Sequence, residues 1–288
     1  MEDFIKQLSF DTQNPFDFPD SIFSKEFKNL PNPIKVDFTN KFFQHWIVWA
    51  HQGEIDTTIV YPLILQNLID KKYDRYFRST SEFAQQYLQK MITEENEHAE
   101  HFLHLLQTLY PNETLIPTKQ QLVVNSMKLA KTVDIKSLEE LLLHYYVGEC
   151  YLWAAFYLIY KQTANPKKKK LFQKLLVEES QHNNNIYKVF KQILPHVDLS
   201  TEQVFNKIST TRLFSLPFVL SYFDASTDML KQKRYIRLVY DSPWHKQFNM
   251  LVIKKWYQLF SLLFPAVSFN EFATTVNANE LEWLTVTD

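Results

Sequence analysis

Apolar residues recur every three to four positions over most of the chain, which is the spacing of amphipathic α-helices. No alternating pattern bounded by turn dipeptides competes with it, and two glycines in 288 residues leave few breaks. The pattern predicts helices over about Asp37–Ile69, Ser79–Leu109, Gln120–Lys131, Ile135–Lys161 and Lys167–Ile193. Further helices are predicted beyond Pro195, one of them in "PWHKQFNMLVIKKWYQLFSLLFP". The predicted fold class is therefore all-α.

The helical segments show no clear domain boundary, so we expect one helical domain over 1–288. Four prolines before the first predicted helix indicate an irregular N-terminal arm over 1–37. The four long helices form a core over 38–195, and extra helices over 196–288 pack on it. Pro62 lies inside the first long helix and is expected to bend it.

Composition argues against several classes of partner and location. A net charge of −1 gives no reason to expect nucleic acid or an anionic membrane as a partner. The apolar stretch over 145–160 is too short to span a bilayer, and the N-terminus lacks a signal-peptide pattern. The single cysteine, Cys150, fits a reducing compartment and a packed position, so a cytoplasmic protein is expected. The lysine run over 167–170 is predicted to be a solvated loop.

Two predicted helices carry the same short motif, "EENEH" at 94–98 and "EESQH" at 178–182. Each contains Glu-x-x-His, as Glu95 with His98 and Glu179 with His182. Residues three apart share a helix face, so each pair can bind one metal ion. Both pairs lie in the middle of apolar stripes, where a polar group is costly unless it is paired or bound to metal. Glu97, Glu100 and His104 point away from these stripes and are predicted to lie on the surface.

The first and third long helices each place one glutamate, Glu54 and Glu149, within a similar apolar face. A glycine directly precedes each, as Gly53 and Gly148, although glycine inside a helix costs about 1 kcal/mol relative to alanine. The hypothesis is that the two helices approach closely at this level, or that the missing side chain lets the carboxylate turn inward.

Antiparallel hairpins would bring all four acidic positions to one height, because the helix segments on either side of each break match in length. The stretch between Leu109 and Ile135 suits a long crossover. It allows the second and third long helices to run parallel or antiparallel, so the spacing leaves that choice open.

One glutamate from each of two helices and Glu-x-x-His from the other two is the ligand pattern of ferritin-like bundles. Over about residues 40–195 the chain resembles the ferritin-like diiron-carboxylate superfamily, and "EENEH" is similar to the motif of soluble acyl-carrier-protein desaturases. The glutamate spacing also resembles that of arylamine N-oxygenases, although Leu175 stands where those carry an extra histidine. The resemblance implies a four-helix bundle with added C-terminal helices, binding two iron ions (Fe2+/Fe3+), with manganese as the alternative metal. The implied metal ligands are Glu54, Glu95, His98, Glu149, Glu179 and His182.

Several neighbours of these ligands have open roles. Glu94 and Glu178 lie four residues before the two histidines and could compete as ligands. His51, one turn before Glu54, could be an added ligand, a partner of a ligand or a packed side chain. His144 lies on the far side of its helix and is left out.

The expected function is that of an O2-dependent diiron oxidoreductase that hydroxylates, N-oxygenates or desaturates a small organic substrate. O2 would be the co-substrate, and a ferredoxin or flavin reductase the electron donor; a homodimer is left open. The alternatives are a ferroxidase or iron-handling protein, a manganese catalase and a helical interaction protein without metal. A radical-generating subunit would need a tyrosine near the metals, and Tyr61, Tyr145 and Tyr146 have suitable positions.

Overall fold

A computed structural model describes residues 18, 23, 25–70, 77–111, 120–121, 123–124, 127–128, 135, 137–208 and 242–285. Its first five helices are α1 (Lys25–Lys28), α2 (Asn32–Asp70), α3 (Phe77–Leu109), α4 (Leu138–Gln162) and α5 (Pro166–Ile193). A 3-10 turn (Leu194–His196) then leads to α6 (201–208), α7 (Pro243–Leu263) and α8 (Phe269–Thr285). No strand occurs within these ranges, so the all-α prediction is confirmed. The described residues between 120 and 128, where a crossover helix was predicted, are also helical.

The helix starts follow from local capping chemistry. Ser137 begins α4, and its hydroxyl accepts a hydrogen bond from the Glu140 amide at 3.2 Å. Asn165 begins α5 by accepting from two main-chain amides, with Pro166 in the first turn where its missing N–H costs nothing. Ser242 caps α7 in the same way, accepting from the His245 amide at 3.1 Å.

Two predictions about irregular segments differ from the structure. α2 begins at Asn32 rather than near Asp37, and α1 lies inside the predicted arm; residues 1–17 of that arm lie outside the described ranges. Pro33 does not prevent the earlier start, since a helix tolerates proline in its first turn.

The lysine run over 167–170 is not a loop but the first turn of α5. Lys168 is buried, and the Lys169 ammonium lies 4.9 Å from the centre of the Tyr160 ring. Sequence reasoning missed this because lysine covers apolar surface with its long aliphatic stem while its charged end meets a polar or aromatic partner.

Side-chain contacts fix the helix directions. Trp46 meets Phe156 and Tyr61 meets Tyr145, so α2 and α4 run antiparallel. α3 and α5 are also antiparallel, because position 94 faces 182 and position 98 faces 178. With α2–α3 and α4–α5 each forming a hairpin, α3 and α4 must run parallel. This decides the choice that the sequence left open, and the link from Leu109 to Leu138 must return about 38 Å along the bundle.

The core contains bulky apolar side chains on both sides of a buried polar level. Phe102 stacks on Phe156 at 5.8 Å on one side of it. On the outside of α4, the Trp256 indole of α7 donates to the Val147 carbonyl at 3.2 Å. α7 therefore covers the face of α4 that points away from the bundle interior. Among the described residues, no helix is both long enough and apolar enough to cross a membrane.

Candidate metal centre

The four central helices bring the predicted acidic and histidine residues to one level of the bundle. All six residues are at most 2% exposed. They come from α2 (Glu54), α3 (Glu95, His98), α4 (Glu149) and α5 (Glu179, His182). Helix spacing explains the arrangement, because each residue sits at the centre of an apolar stripe that must face the interior. Burial therefore forces the polar groups to meet one another.

One group of ligand atoms surrounds the Nδ1 atom of His98. Glu95 Oε2 lies 3.1 Å from it, Glu179 Oε1 lies at 3.3 Å and Glu54 Oε2 at 3.7 Å. These residues offer ligand atoms that all lie within 4.8 Å of one another. Three carboxylates and one imidazole can therefore converge on a single ion.

A second group surrounds the Nδ1 atom of His182. Glu95 Oε1 lies 2.9 Å from it, Glu149 Oε2 at 3.4 Å and Glu179 Oε2 at 3.7 Å. Glu95 and Glu179 thus belong to both groups, and each turns one oxygen towards each histidine. A carboxylate shared in this way can bridge two metal ions, so the geometry fits a dinuclear site.

The outer nitrogen of each histidine is held by a carboxylate from the opposite motif. Glu178 Oε2 accepts from His98 Nε2 at 3.0 Å, and Glu94 Oε2 accepts from His182 Nε2 at 3.1 Å. Glu94 and Glu178 lie outside both ligand groups, so the structure favours an orienting role for them over competition as ligands. The first glutamate of each motif contacts the histidine of the other motif because α3 and α5 pack antiparallel.

The pKa is raised at two of the four carboxylates and lowered at the other two. Burial and then the charge of Glu95 raise the pKa of Glu54 well above its ordinary value. Burial, Glu95 and Glu179 raise the pKa of Glu149 in the same way. At Glu95 and Glu179 burial also raises the pKa, but the two neighbouring histidines, together with Glu54 at Glu95, outweigh it and lower the pKa. The two shared carboxylates are therefore the ones that stay ionised most readily.

The pKa values of the two histidines are raised, whereas the pKa of an isolated buried histidine is lowered. Burial would lower their pKa, but the surrounding carboxylates raise it, Glu178 contributing most at His98 and Glu149 at His182. Without metal, therefore, the imidazoles hold protons that neutralise part of the buried negative charge. Metal binding at Nδ1 would displace those protons.

The donor set fits a pair of divalent cations. Both oxygens of Glu54 and of Glu179, and one each of Glu95 and Glu149, are buried with no hydrogen-bond partner among the described residues. Buried carboxylate oxygens without partners are costly unless a cation satisfies them. Four carboxylates balance the charge of two divalent ions, and oxygen ligands with imidazole suit iron or manganese.

Asn183, one turn after Glu179, supports the site from behind and was missed in the sequence. Its amide nitrogen donates to the main-chain carbonyls of Glu179 at 3.0 Å and Glu149 at 3.3 Å. Its amide oxygen accepts from the thiol of Cys150 at 3.1 Å, which gives that buried cysteine a packed, hydrogen-bonded position. An asparagine in the apolar stripe of α5 was the available signal.

The candidate histidine and tyrosines outside the two ligand groups lie at different positions around the site. His51 is buried on α2 but belongs to neither ligand group. Tyr146 points away from the site, since its hydroxyl donates to the Lys255 carbonyl of α7 at 2.9 Å. Tyr61 and Tyr145 lie on the site's side of their helices, where burial and then the charge of Glu149 raise the pKa of both. The hydroxyl of Tyr87, which the sequence did not single out, donates to the His182 carbonyl at 3.1 Å.

The glycines do not mark a close helix approach. No described heavy atom lies within 4 Å of a Cβ added at Gly53. At Gly148 such a Cβ would meet only the Tyr61 hydroxyl, at 3.9 Å, which is an ordinary contact. The close-approach hypothesis is therefore wrong, because both positions have room for a side chain.

Comparison with known proteins agrees with this geometry. Residues 70–185 match the family model described as Rubrerythrin. The matched range contains both Glu-x-x-His motifs and Glu149, whereas Glu54 lies before it. This stretch is therefore similar to the ferritin-like diiron-carboxylate proteins. Searches of curated proteins and of solved structures gave no significant match, so the comparisons identify no subfamily.

Proposed function

We propose that this protein is an O2-dependent diiron oxidoreductase that hydroxylates, N-oxygenates or desaturates a small organic substrate. The observation that carries the proposal is the pair of ligand groups joined by Glu95 and Glu179. A shared pair of carboxylates would hold two metal ions close together, and such a pair supplies the chemistry that activates O2. The match of residues 70–185 to a diiron family supports iron as the metal.

The residues have separate tasks in this proposal. Glu54 and His98 would hold one ion, Glu149 and His182 the other, with Glu95 and Glu179 shared between the two. Iron bound by these residues would supply redox chemistry, as the Fe2+/Fe3+ couple that reduces O2. The protein keeps the ligands in place and excludes water with buried rings such as Phe102 and Phe156.

The electron balance explains why a donor protein is expected. Insertion of one oxygen atom into a substrate, with reduction of the other to water, takes two electrons from outside the substrate. Desaturation with full reduction of O2 to water has the same requirement. A ferredoxin or a flavin reductase would supply these electrons.

Iron handling without an organic substrate is the second candidate, and one surface feature favours it. A groove of about 790 Å³ runs along the outer side of α3 and includes Glu97, Glu100, His101 and His104 in its lining. Carboxylates and imidazoles of this kind attract divalent cations. Oxidation of Fe2+ to ferric mineral would then be the whole reaction.

The test begins with metal analysis of protein purified from iron-supplied cells. About two iron ions per chain are expected, as the dinuclear ligand set requires. The Fe2+ form is then mixed with O2, a reductase and a panel of small amines, fatty acyl thioesters and aromatics. Glu95→Ala should lose iron and O2 consumption, whereas Glu202→Ala, which removes an exposed carboxylate on α6, should keep both.

Three outcomes separate the candidates. Oxidised organic product in proportion to O2 consumed supports the oxygenase-type reaction. Ferric mineral without product supports iron handling. Protein that binds no transition metal under these conditions contradicts both candidates.

A further inference from the structure

The α3–α5 side of the metal centre is closed to an incoming ligand. His98 and His182 occupy it, and their outer nitrogens are covered by Glu178 and Glu94. A lysine on the surface pairs with each outer carboxylate, as Lys90 with Glu94 at 3.3 Å. Any reactant that approached from here would have to displace these hydrogen bonds.

On the α2–α4 side, the position directly before each single glutamate carries no side chain. Trp46 meets Phe156 at one end of this helix pair, and Tyr61 meets Tyr145 at the other. Between these aromatic contacts lie Gly53 and Gly148, each partly exposed although the glutamate that follows it is buried. We call the space beside these two glycines the α2–α4 gap.

The glycines are not required by packing. A Cβ at Gly53 would meet no described atom within 4 Å, and one at Gly148 only the edge of an ordinary contact. Glycine lowers helix stability relative to alanine, so its presence at two positions with room for a side chain calls for another reason. Access to Glu54 and Glu149, the adjacent metal-ligand candidates, is such a reason.

A buried hydroxyl without a partner points to a ligand at this place. Tyr145 is 3% exposed, and its hydroxyl has no hydrogen-bond partner among the described residues. Its ring packs 4.1 Å from that of Tyr61, whose own hydroxyl borders Gly148. Tyr145 lies one helical turn before Glu149 on the same face of α4, which places it beside the metal centre.

We propose that the α2–α4 gap admits a small diatomic or triatomic ligand, such as O2 or an anion of its size, to the dinuclear site. Tyr145 donates a hydrogen bond to that ligand, and the absence of side chains at Gly53 and Gly148 keeps the path open. This inference rests on the proposed diiron function. It adds the side of approach and the residues that limit ligand size.

The first experiment measures azide binding to the diferric protein by its charge-transfer absorption. Gly53→Leu and Gly148→Leu fill the gap and should weaken azide binding at least about tenfold through steric exclusion. Position 53 has more room for an added side chain than position 148. Gly148→Ala is a smaller change that should fold normally. Asn96→Leu adds a similar side chain at the exposed position after Glu95 and should leave azide affinity unchanged.

The second experiment removes the hydroxyl without changing packing. Tyr145→Phe should weaken azide binding about threefold to tenfold, the value of one hydrogen bond. Tyr146→Phe is the matched control, because that hydroxyl donates to Lys255 outside the bundle. Iron content is measured for every variant, so that a lost ligand is not confused with a blocked path.

The outcomes distinguish this inference from the proposed function. Two irons per chain with weakened azide binding only in the Gly53, Gly148 and Tyr145 variants support the gap. Full iron content with unchanged azide affinity in these variants overturns the gap and leaves the diiron proposal intact. Wild-type protein without iron overturns both.

Discussion

The two sides of the bundle that flank the metal centre shift the pKa of histidine in opposite directions. On the α3–α5 side, carboxylates hold His98 and His182 at both nitrogens and raise the pKa of each. On the α2–α4 side, His144 lies beside Tyr61, and burial followed by the charge of Lys207 lowers its pKa to about 4. The same side chain is thus held charged on one side and neutral on the other, because carboxylates favour the charged form of His98 and His182, whereas burial and Lys207 disfavour it at His144.

The α3–α5 side holds the metal ligands in place, and the α2–α4 side is the proposed route by which a reactant reaches the metals. The α3–α5 side has paired hydrogen bonds that orient the ligands, and it carries the two repeated motifs. The α2–α4 side contributes one glutamate from each helix, two glycines and two tyrosines. A site that must retain its metal ions and still admit a reactant needs one side that orients the ligands and one side that leaves a path open.

The largest effect is expected at a shared carboxylate. Glu95→Ala removes an oxygen from both ligand groups, so iron content should fall from about two ions per chain to well below one. Iron analysis after purification measures this. Retention of full iron content would show that Glu95 does not bridge the two groups.

Loss of one outer carboxylate should have a smaller effect. Glu178→Ala frees the outer nitrogen of His98, and iron affinity should fall by about 10- to 100-fold. Glu94→Ala should act equally on His182, because the two pairs are arranged alike. Competition with a chelator measures both, with the exposed Glu202→Ala as the control. Unequal effects would break the symmetry between the two motifs.

The neutral histidine should make stability depend on pH. Folded His144 stays neutral down to about pH 4, whereas the unfolded chain takes up a proton below about 6.5. The unfolded state therefore binds more protons between these values, and the free energy of unfolding falls as pH decreases through this window.

Replacing this residue should remove that dependence. The contribution is roughly 1–3 kcal/mol, and it should disappear in His144→Phe, which keeps an aromatic ring beside Tyr61. Denaturant unfolding of wild type and variant at pH 7 and pH 5 measures it, with His104→Phe on the outer side of α3 as the control. An equal loss of stability in wild type and His144→Phe would contradict the assignment.

The smallest effect is expected at Gly53. Gly53→Ala should raise the free energy of unfolding by about 1 kcal/mol, because alanine favours helix and the added methyl has room. Thermal unfolding of the metal-free protein measures it. Destabilisation instead would indicate a close helix approach and would remove the argument for the α2–α4 gap.

Much of the site followed from the sequence because helix geometry is local. The spacing of Glu95 with His98, and of Glu179 with His182, places each pair on one face whatever the rest of the chain does. The apolar stripes around them predicted burial, and the structure brings these four residues together with Glu54 and Glu149. Whether the six bind metal stays a prediction.

Long-range packing determined what the sequence left open or misassigned. A long crossover permits either direction for α4, and only contacts such as Tyr61 with Tyr145 select one. The crossed pairing of Glu94 with His182 depends on which helix lies opposite, which no local pattern specifies. The burial of Lys168 and the open space at Gly53 likewise depend on neighbours distant in sequence. The sequence by itself thus determined which residues share a helix face, and the tertiary structure decided which faces meet.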